Sequence, residues 1–597
     1  MAPRRRAPEP ITVLTPELFD RLKERTEGTL VNLIKQNKDT RYACESPAFS
    51  CFRSALSAHG HPGDEVQDDM LLESYRTSIP LTTYDSYEPF VNKFFDPNCK
   101  ESDVKDMFSP GLPYFIATSS ATAGKTAKFF PKYRHAEGGS YKSVDSNANP
   151  TSDTGGKNCI VYSLNYQQLI DVQNEDGDAV KKIPVTIMSA GSIRMQNNID
   201  VEKDPHILHL TAPRASSPMA VCFIRHYRSF LLMHVLFALA EPKLENITTL
   251  FGTVFVDMLR YMEEEWDALL DSIETGKIPD WEGINHVLHY LEPKFPPRPE
   301  RAAYLRTIGK ANQEVGWIVR IWPTLKVVVG IASGVFSAVI PKMRHYLGPD
   351  VQMRSLGFTA SEAYIGTVYD PSNLNLFKVA SDDVIEYLDV LKEENTEGVM
   401  SAWQVESGQR YEIVLTTRDG LWKYRMGDVI EIAGFDPEDG APIVRYVERR
   451  NVGLRLGRAL ASEKQLADAI FAAQDALGPI IEFTVVVDDR VMPPRLGYLV
   501  EVQGELGPDA DEAPAQVLLN LGMSNVNIKD SVEIRAMGPP TVRIVRPGTF
   551  RDYRQRKIEA TGGSAGQTKV PVVIWDTATQ EWMFEQVERE VGILHGF

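Results

Sequence analysis

The sequence predicts an α/β protein in which a large N-terminal part with mixed β-sheets and helices is followed by a small α+β unit. Apolar residues recur at helical spacing over residues 15–38, and Thr15 is a suitable residue to begin that helix. The segment Lys326–Gly330, with three consecutive valines, is typical of a strand buried in a parallel sheet. Beyond residue 460, helical and strand patterns alternate at short intervals, which indicates a separate α+β unit.

The other elements follow from the same periodicities. Residues 228–241 and 250–272 carry long helical patterns, whereas residues 411–416 and 429–433 alternate as antiparallel or edge strands do. Residues 135–158 are rich in Gly, Ser, Asn and Asp, which predicts a long exposed loop. In the C-terminal part we predict a helix near 462–476, strands at 481–487 and 496–503, a helix near 513–522 and a strand at 532–537.

Composition and charge disfavour several classes of function. The chain of 597 residues has a net charge of −17, which argues against a general nucleic-acid-binding protein. Its five cysteines are scattered without a C-x-x-C pair, which favours reduced thiols and a cytoplasmic protein over a disulfide framework or a zinc site. The longest apolar run, residues 327–341, falls short of the roughly 20 residues that a bilayer-spanning helix needs, so we expect no membrane association. Residues 1–14 are predicted to form a flexible arm, because their basic start lacks the apolar segment of a secretory signal.

The segment Thr118–Lys128 follows a strand-like run at 112–117 and concentrates hydroxyl side chains, a glycine and two lysines. Hydroxyls and backbone N–H groups in a tight loop bind anions such as nucleotide phosphates, and a lysine adds positive charge. Three interpretations stay open for this segment alone: the tail of a P-loop at Gly124–Thr126, the phosphate loop of an adenylate-forming enzyme ending in Lys128, and a polar surface turn. A P-loop would require glycine where this chain has Ser119.

Two later segments also carry side chains suited to a nucleotide. In Gly357–Glu362, Phe358 can stack on a purine, Thr359 can hold a phosphate or a carboxylate, and Glu362 can help to bind Mg²⁺. In the second segment, Asp428 follows a predicted glycine turn and can accept hydrogen bonds from both ribose hydroxyls. Each segment also has a plainer interpretation, as a strand end with a solvated glutamate or as a turn aspartate.

In their order and spacing, these segments together resemble the GH3 family of acyl-acid amido synthetases, which are adenylate-forming enzymes. The family patterns S-S-G-T-S-x-G-x-x-K, Y-A-S-S-E, Y-R-x-G-D and G-x-S-x-x-Q-Y-K-x-P are similar to Ser119–Lys128, Phe358–Glu362, Tyr424–Asp428 and Gly563–Pro571. Further similarity lies in Ile79–Asp85, Arg449–Val452 and Pro547–Phe550, so the resemblance runs from about residue 15 to about residue 575. The P-loop interpretation explains none of the later segments and is set aside.

The resemblance implies a fold and an activity. It implies an adenylation domain at 15–448, which binds ATP and the acyl acid, and a small mobile α+β domain at 449–597, with a hinge near residues 449–452. The expected reaction uses ATP and Mg²⁺ to activate a carboxylic acid as an acyl-adenylate and transfers the acyl group to an amine, usually an amino acid. Two alternatives remain open, a thioester-forming acyl-CoA ligase and a nucleotide- or acyl-acid-binding protein without turnover. The implied partners are small-molecule acids and amines, with no nucleic acid, membrane or obligate protein partner.

The resemblance also implies roles for individual residues. The residues implied to hold the β- and γ-phosphates are Ser119, Ser120, Thr122, Lys125 and Lys128. Those implied to bind the adenosine are Ser333 and Gly334 beside the adenine, Phe358 stacked on it and Asp428 at the ribose. Those implied to act at the reacting groups are Thr359 at the α-phosphate or acyl carboxylate, Glu362 at Mg²⁺, and Lys569, which neutralises charge during adenylation. The chain departs from the family pattern at Ala121 and Ala123, which replace glycine and serine.

One apolar stripe is a candidate for the acyl site. Val254, Met258, Met262 and Trp266 recur at intervals of four, which favours simple core packing on one helix face. The alternative is the wall of an acyl pocket, for which Phe255 is the first aromatic residue to test.

Overall fold

The chain is described here from a computed structural model, which covers residues 7–59, 66–119, 127–135, 156–311, 314–450, 453–456, 459–561 and 568–592. The described residues fall into two compact units. The first contains residues 7–119 and 128–447, and the second contains residues 448–561 and 568–592. The predicted boundary at 448/449 lies next to this division.

The described strands of the first unit are β1 Phe115–Thr118, β2 Phe129–Lys132, β3 Lys157–Ile160, β4 Gln168–Gln173, β5 Ala179–Ile187, β6 Leu244–Phe251, β7 Val327–Ile331, β8 Gln352–Arg354, β9 Phe358–Thr359, β10 Tyr364–Val368, β11 Phe377–Val379, β12 Val384–Asp389, β13 Val399–Met400, β14 Arg410–Thr416, β15 Tyr424–Phe435 and β16 Pro442–Arg449. Within the described ranges they form three sheets, with strand orders β2-β1-β5-β4, β3-β6-β7-β8 and β13-β12-β14-β15-β16-β11-β10-β9. The second sheet is parallel throughout, as the apolar sequence of β7 predicted.

The described α-helices of this unit are Pro16–Asn37, Arg41–Glu45, Ser50–His59, Asp68–Ser78, Glu88–Val91, Glu101–Val104, Met188–Gln196, Asp204–Ile207, Tyr227–Ala240, Gly252–Glu264, Trp266–Thr275, Asn285–Leu291, Pro299–Ile308, Trp317–Ile321 and Ile340–Leu347. The predicted N-terminal helix is confirmed, and the Thr15 hydroxyl caps it by accepting a hydrogen bond from the Leu18 amide at 3.3 Å. In the part of the chain that the structure describes, no helix has both the length and the apolar character to cross a membrane.

The second unit has the predicted α+β character. Its described strands are β17 Gly453–Leu456, β18 Ala459–Ser462, β19 Ile480–Asp488, β20 Arg495–Val502, β21 Thr541–Val545 and β22 Val587–Val591, and its described α-helices are Glu463–Ala472, Gln474–Leu477, Ala513–Ser524, Val526–Glu533, Thr549–Thr561 and Thr577–Glu585. Strands β19 to β22 form one sheet in chain order, and β17 and β18 pair as a hairpin.

Two predicted elements are wrong. Residues 250–272 do not form one helix, because 250 and 251 end strand β6 and the following helix is interrupted at Glu265. Residues 532–537 are not a strand. The helix Val526–Glu533 occupies the start of this stretch, and strand β21 begins only at Thr541, directly after two prolines. Proline lacks the N–H that a central strand needs, so the strand forms beyond the prolines.

The aromatic core of the first unit holds the start of β15. Trp422, two residues before this strand, is buried, and its ring centroid lies 5.3 Å from that of Phe49. The Trp422 amide donates to the Tyr87 hydroxyl at 2.9 Å, and its carbonyl accepts from the Thr82 hydroxyl at 2.6 Å. These contacts fix the chain immediately before Tyr424, the first residue of the third predicted motif.

Candidate functional site

The predicted phosphate loop connects two paired strands. Strands β1 and β2 are antiparallel, with Thr118 opposite Phe129. The Ser119 amide donates to the Lys128 carbonyl at 2.8 Å, and the Lys128 amide donates to the Ser119 hydroxyl at 3.0 Å. Ser119 and Lys128 therefore join at the base of the loop. The other predicted loop residues, Ser120, Thr122 and Lys125, with the substituted positions Ala121 and Ala123, lie outside the described residues.

The Lys128 ammonium lies between two tyrosines. Its Nζ donates to the Tyr424 hydroxyl at 3.1 Å and is 5.6 Å from the ring centroid of Tyr84 and 5.7 Å from that of Tyr424. The Tyr84 hydroxyl in turn accepts from the Phe129 amide at 2.9 Å. Burial raises the pKa of Tyr84 to about 12, so its ring stays neutral at physiological pH. Lys128 thus brings together three segments that the sequence singled out, at 79–85, 119–128 and 424–428.

Asp428 lies on a bulge inside strand β15, and not beside a turn as the sequence predicted. Residues 426–428 lie opposite Ile413 alone in the pairing of β14 with β15. Gly427 at the centre has a φ of +86°, a left-handed conformation that glycine adopts without a Cβ clash. Bulges re-aim side chains next to active sites, and this one sets the direction of the buried Asp428 carboxylate.

The segment that contains Thr359 and Glu362 touches the end of β1. The Ser361 hydroxyl donates to the Thr118 carbonyl at 3.4 Å, while Thr359 on β9 is exposed. Glu362 is only 4% exposed, and among the described residues its carboxylate accepts no hydrogen bond. Its backbone carbonyl instead accepts one from the buried Lys132 ammonium. A carboxylate to which no described side chain donates is suited to accept a cation or a donor from a ligand.

Gly334, which follows Ser333 in the chain, and Phe358 both lie against a residue that sequence reasoning missed. Gly334 has a φ of +59°, and a Cβ at this position would lie 2.9 Å from Cε1 of Tyr446. The ring of Tyr446 also meets that of Phe358 edge to face, with centroids 5.9 Å apart. Tyr446 lies on strand β16, and the β-branched and aromatic residues of this strand were the signal that could have drawn attention to it. The predicted adenine region thus has two aromatic rings and a glycine whose missing side chain leaves room for one of them.

Phe255 is 0% exposed, and the four stripe residues around it are buried as well. This favours core packing for the stripe, because an acyl group would reach Phe255 only after its neighbours moved. The assignment of Phe255 to an acyl site stays a prediction.

Lys569 belongs to the second unit and lies near another lysine. Lys557, on the helix Thr549–Thr561, has its ammonium 5.9 Å from the ring centroid of Tyr553. Burial, and to a smaller extent the positive charge of Lys569, lowers the pKa of Lys557 to about 8. Lys557 was not found from the sequence, because a single lysine on a helix carries no distinguishing pattern.

Across the described residues, no group of three or more His, Cys, Asp or Glu side chains is arranged to hold a metal ion. A lone carboxylate such as Glu362 does suit Mg²⁺, which keeps several waters and takes other ligands from substrate phosphates. The site therefore fits a metal that arrives with a nucleotide better than a resident metal.

The chain matches three family models along most of its length. Residues 17–353 match the GH3 family N-terminal domain, residues 381–449 the central domain and residues 464–578 the C-terminal domain. The first of these alone covers more than half of the chain.

Curated relatives and solved structures agree with these matches. The chain is 25% identical over 525 residues to a jasmonoyl–L-amino acid synthetase from Oryza sativa subsp. japonica, covering 84% of this chain and 86% of the relative. It is 23% identical over 557 residues to an indole-3-acetic acid-amido synthetase from Arabidopsis thaliana, with 84% of each chain covered. The solved structure of the GH3.15 acyl acid amido synthetase has the same fold, with a TM-score of 0.74, 21% identity and 96% of each chain covered. The chain belongs to the GH3 family.

Proposed function

We propose that this protein is an ATP-dependent acyl acid amido synthetase. It activates a carboxylic acid as an acyl-adenylate with release of pyrophosphate, and transfers the acyl group to an amine, an amino acid in the simplest case, with release of AMP. The observation that supports this best is the position of Lys128, which contacts Tyr84 and Tyr424 and so joins three motif segments. The curated relatives are named as amido synthetases, which favours an amide product over a thioester.

The chemistry explains why these residue types are needed. A carboxylate oxygen is a poor leaving group, and adenylation converts it into a good one. The step brings a carboxylate against a triphosphate, so catalysis consists mainly of positioning and of charge neutralisation. In this proposal Ser119 and Lys128 hold the outer phosphates, Thr359 contacts the reacting carboxylate or α-phosphate, and Asp428 holds the ribose.

Mg²⁺ belongs to the proposal as the metal that enters with ATP, and Glu362 is the protein ligand that would hold it. When bound there, it would neutralise phosphate charge. Glu362 is suited to this role because its buried carboxylate accepts no hydrogen bond from the described residues. The location we propose is the cytoplasm, since all five cysteines are free thiols.

The function is tested with the purified protein, ATP, Mg²⁺ and a panel of carboxylic acids, each with an amino-acid mixture or with coenzyme A. AMP formation is measured by chromatography, and reactions without acid are the control. We expect AMP formation that requires an acid and rises with amino acids. AMP only with coenzyme A would refute the amide product, and no AMP with any acid would refute the enzyme.

A glycine substitution tests the adenine region. In Gly334→Ala the new Cβ would collide with the ring of Tyr446 and also carry the cost of a positive φ, which is roughly 1–2 kcal/mol. We expect the KM for ATP in acid-dependent pyrophosphate exchange to rise about tenfold, because a displaced Tyr446 ring would weaken nucleotide binding by about 1.4 kcal/mol, a factor of ten, while the KM for the acid stays constant.

Gly408→Ala is the matched control for this variant. Gly408 also has a positive φ, +85°, but a Cβ there meets no atom within 4 Å. It therefore reproduces the backbone cost without a collision. If the KM for ATP is the same in both variants, Gly334 does not border the nucleotide.

A further inference from the structure

Lys132, the last residue of β2, is a buried lysine in the middle of the candidate site. It is only 1% exposed, and its ammonium donates to the backbone carbonyl of Glu362 and lies 3.3 Å from Oδ2 of Asp419. A charged ammonium is kept in a protein interior only when it is paired and hydrogen-bonded. Both of its partners belong to segments that are distant from it in sequence.

Asp419 is also buried and is held by hydrogen bonds. It lies in the loop between β14 and β15, and its Oδ1 accepts from the Tyr133 amide at 3.0 Å and lies 3.0 Å from Nε2 of His135. Burial by itself would raise the pKa of Asp419, but the charge of Lys132 and the hydrogen bond from His135 hold this pKa well below its usual range. Lys132 and Asp419 therefore form a buried ion pair.

The loop that carries Asp419 has little freedom to move. Gly420, the next residue, has a φ of +91°, and a Cβ there would lie 2.1 Å from the Phe108 carbonyl oxygen. The loop therefore packs directly against the backbone near Phe108. The ion pair with Asp419 therefore fixes the position of the Lys132 ammonium. The hydrogen bond from that ammonium in turn fixes the backbone carbonyl of Glu362.

Lys132 thus joins three parts of the candidate site. Strand β2 starts directly after Lys128, the 358–362 segment carries Glu362, and the Asp419 loop leads into Tyr424. We propose that Lys132 is a positioning residue that fixes the backbone of Glu362, so that the Glu362 carboxylate meets the metal of a bound metal–nucleotide complex. This inference rests on the proposed function, because it assumes that the site binds ATP with a divalent cation.

The variant must separate positioning from folding. Lys132→Met alone leaves the Asp419 carboxylate buried without its ion-pair partner, and this variant is expected to lose stability. The double variant K132M/D419N removes both charges together and keeps side chains of similar size. In this double variant the backbone carbonyl of Glu362 still loses its hydrogen bond from the Lys132 ammonium, and the inference depends on that hydrogen bond.

The test measures metal binding directly. Mn²⁺ is titrated into protein saturated with α,β-methylene-ATP, and free Mn²⁺ is followed by electron paramagnetic resonance. We expect the double variant to bind Mn²⁺ about tenfold more weakly than the wild type, the lower end of the 10–100-fold loss seen when outer-shell partners of metal ligands are removed. Affinity for the nucleotide without metal is expected to stay constant, as are the melting temperature and the circular dichroism spectrum.

Lys378→Met is the matched control. Lys378 lies on strand β11 of the eight-stranded sheet, and its ammonium is 2.9 Å from a carboxylate oxygen of both Asp436 and Asp439. We expect this variant to bind Mn²⁺ as the wild type does, because its ion pairs do not touch the 358–362 segment.

The outcomes separate the two proposals. A folded double variant with wild-type Mn²⁺ affinity overturns the role of Lys132 and leaves the proposed function intact. Weaker Mn²⁺ binding in K378M as well would also overturn it, because loss of a lysine–carboxylate pair away from the 358–362 segment would then suffice. A wild-type protein that binds neither the nucleotide nor Mn²⁺ in its presence overturns the proposed function, and the role of Lys132 falls with it.

Discussion

Replacing Lys128 by methionine is expected to lower the rate of acid-dependent ATP–pyrophosphate exchange by about 10²–10³-fold, the loss typical of removing one group that stabilises transition-state charge. Methionine keeps most of the length of the side chain and its apolar character beside the rings of Tyr84 and Tyr424, but it removes the positive charge. The hydrogen bond to Tyr424 is lost as well. If Lys128 neutralises phosphate charge as the reaction proceeds, kcat falls more than the affinity for ATP.

Lys93→Met is the matched control for Lys128→Met. Lys93 also lies over an aromatic ring of the first unit, 5.2 Å from the centroid of Phe90, but its side chain is 37% exposed and pairs with Glu45. We expect its exchange rate to equal that of the wild type. An exchange rate in Lys128→Met within threefold of the wild type would show that this lysine is not part of the catalytic machinery.

Replacing Lys569 by alanine is expected to lower adenylation by a comparable factor, about 10²–10³-fold, and to leave the affinity for ATP nearly unchanged. A group that contacts the reacting atoms only during the chemical step contributes to kcat and not to ground-state binding. The measurements are pyrophosphate exchange for the rate and calorimetric titration with α,β-methylene-ATP for the affinity. Lys529→Ala, an exposed lysine on a helix of the same unit, is the control.

The pKa of Lys557 is a second quantity to measure in the Lys569→Ala variant. This pKa of about 8 is lowered first by burial and then by the positive charge of Lys569. Removing that charge should raise the pKa of Lys557, which can be followed by the pH dependence of its reductive methylation. Pyrophosphate exchange at the wild-type rate would exclude Lys569 from catalysis, whereas an unchanged Lys557 pKa would contradict the proximity of the two lysines.

Much of the fold was predictable from periodicity. The N-terminal helix Pro16–Asn37, the buried strand β7 and the pair β14–β15 appear as expected, because each has an apolar pattern with one clear period. The error at 250–272 arose where the end of a strand and the helix after it carry apolar residues in one run. The error at 532–537 arose because a helix extends to Glu533 and two prolines delay the next strand to Thr541.

The sequence by itself determined the family, and it predicted a nucleotide site and the residue types that would serve it. This was possible because the informative residues lie close together in short motifs, such as Tyr424–Asp428, which can be recognised without a structure. Only the tertiary structure decided that Gly427 forms a bulge and not a turn, that Tyr446 meets Phe358, and that Lys132 pairs with Asp419 beneath Glu362. These contacts join residues that lie far apart in sequence, and they exist because the interior requires each buried ring to be packed and each buried charge to be paired.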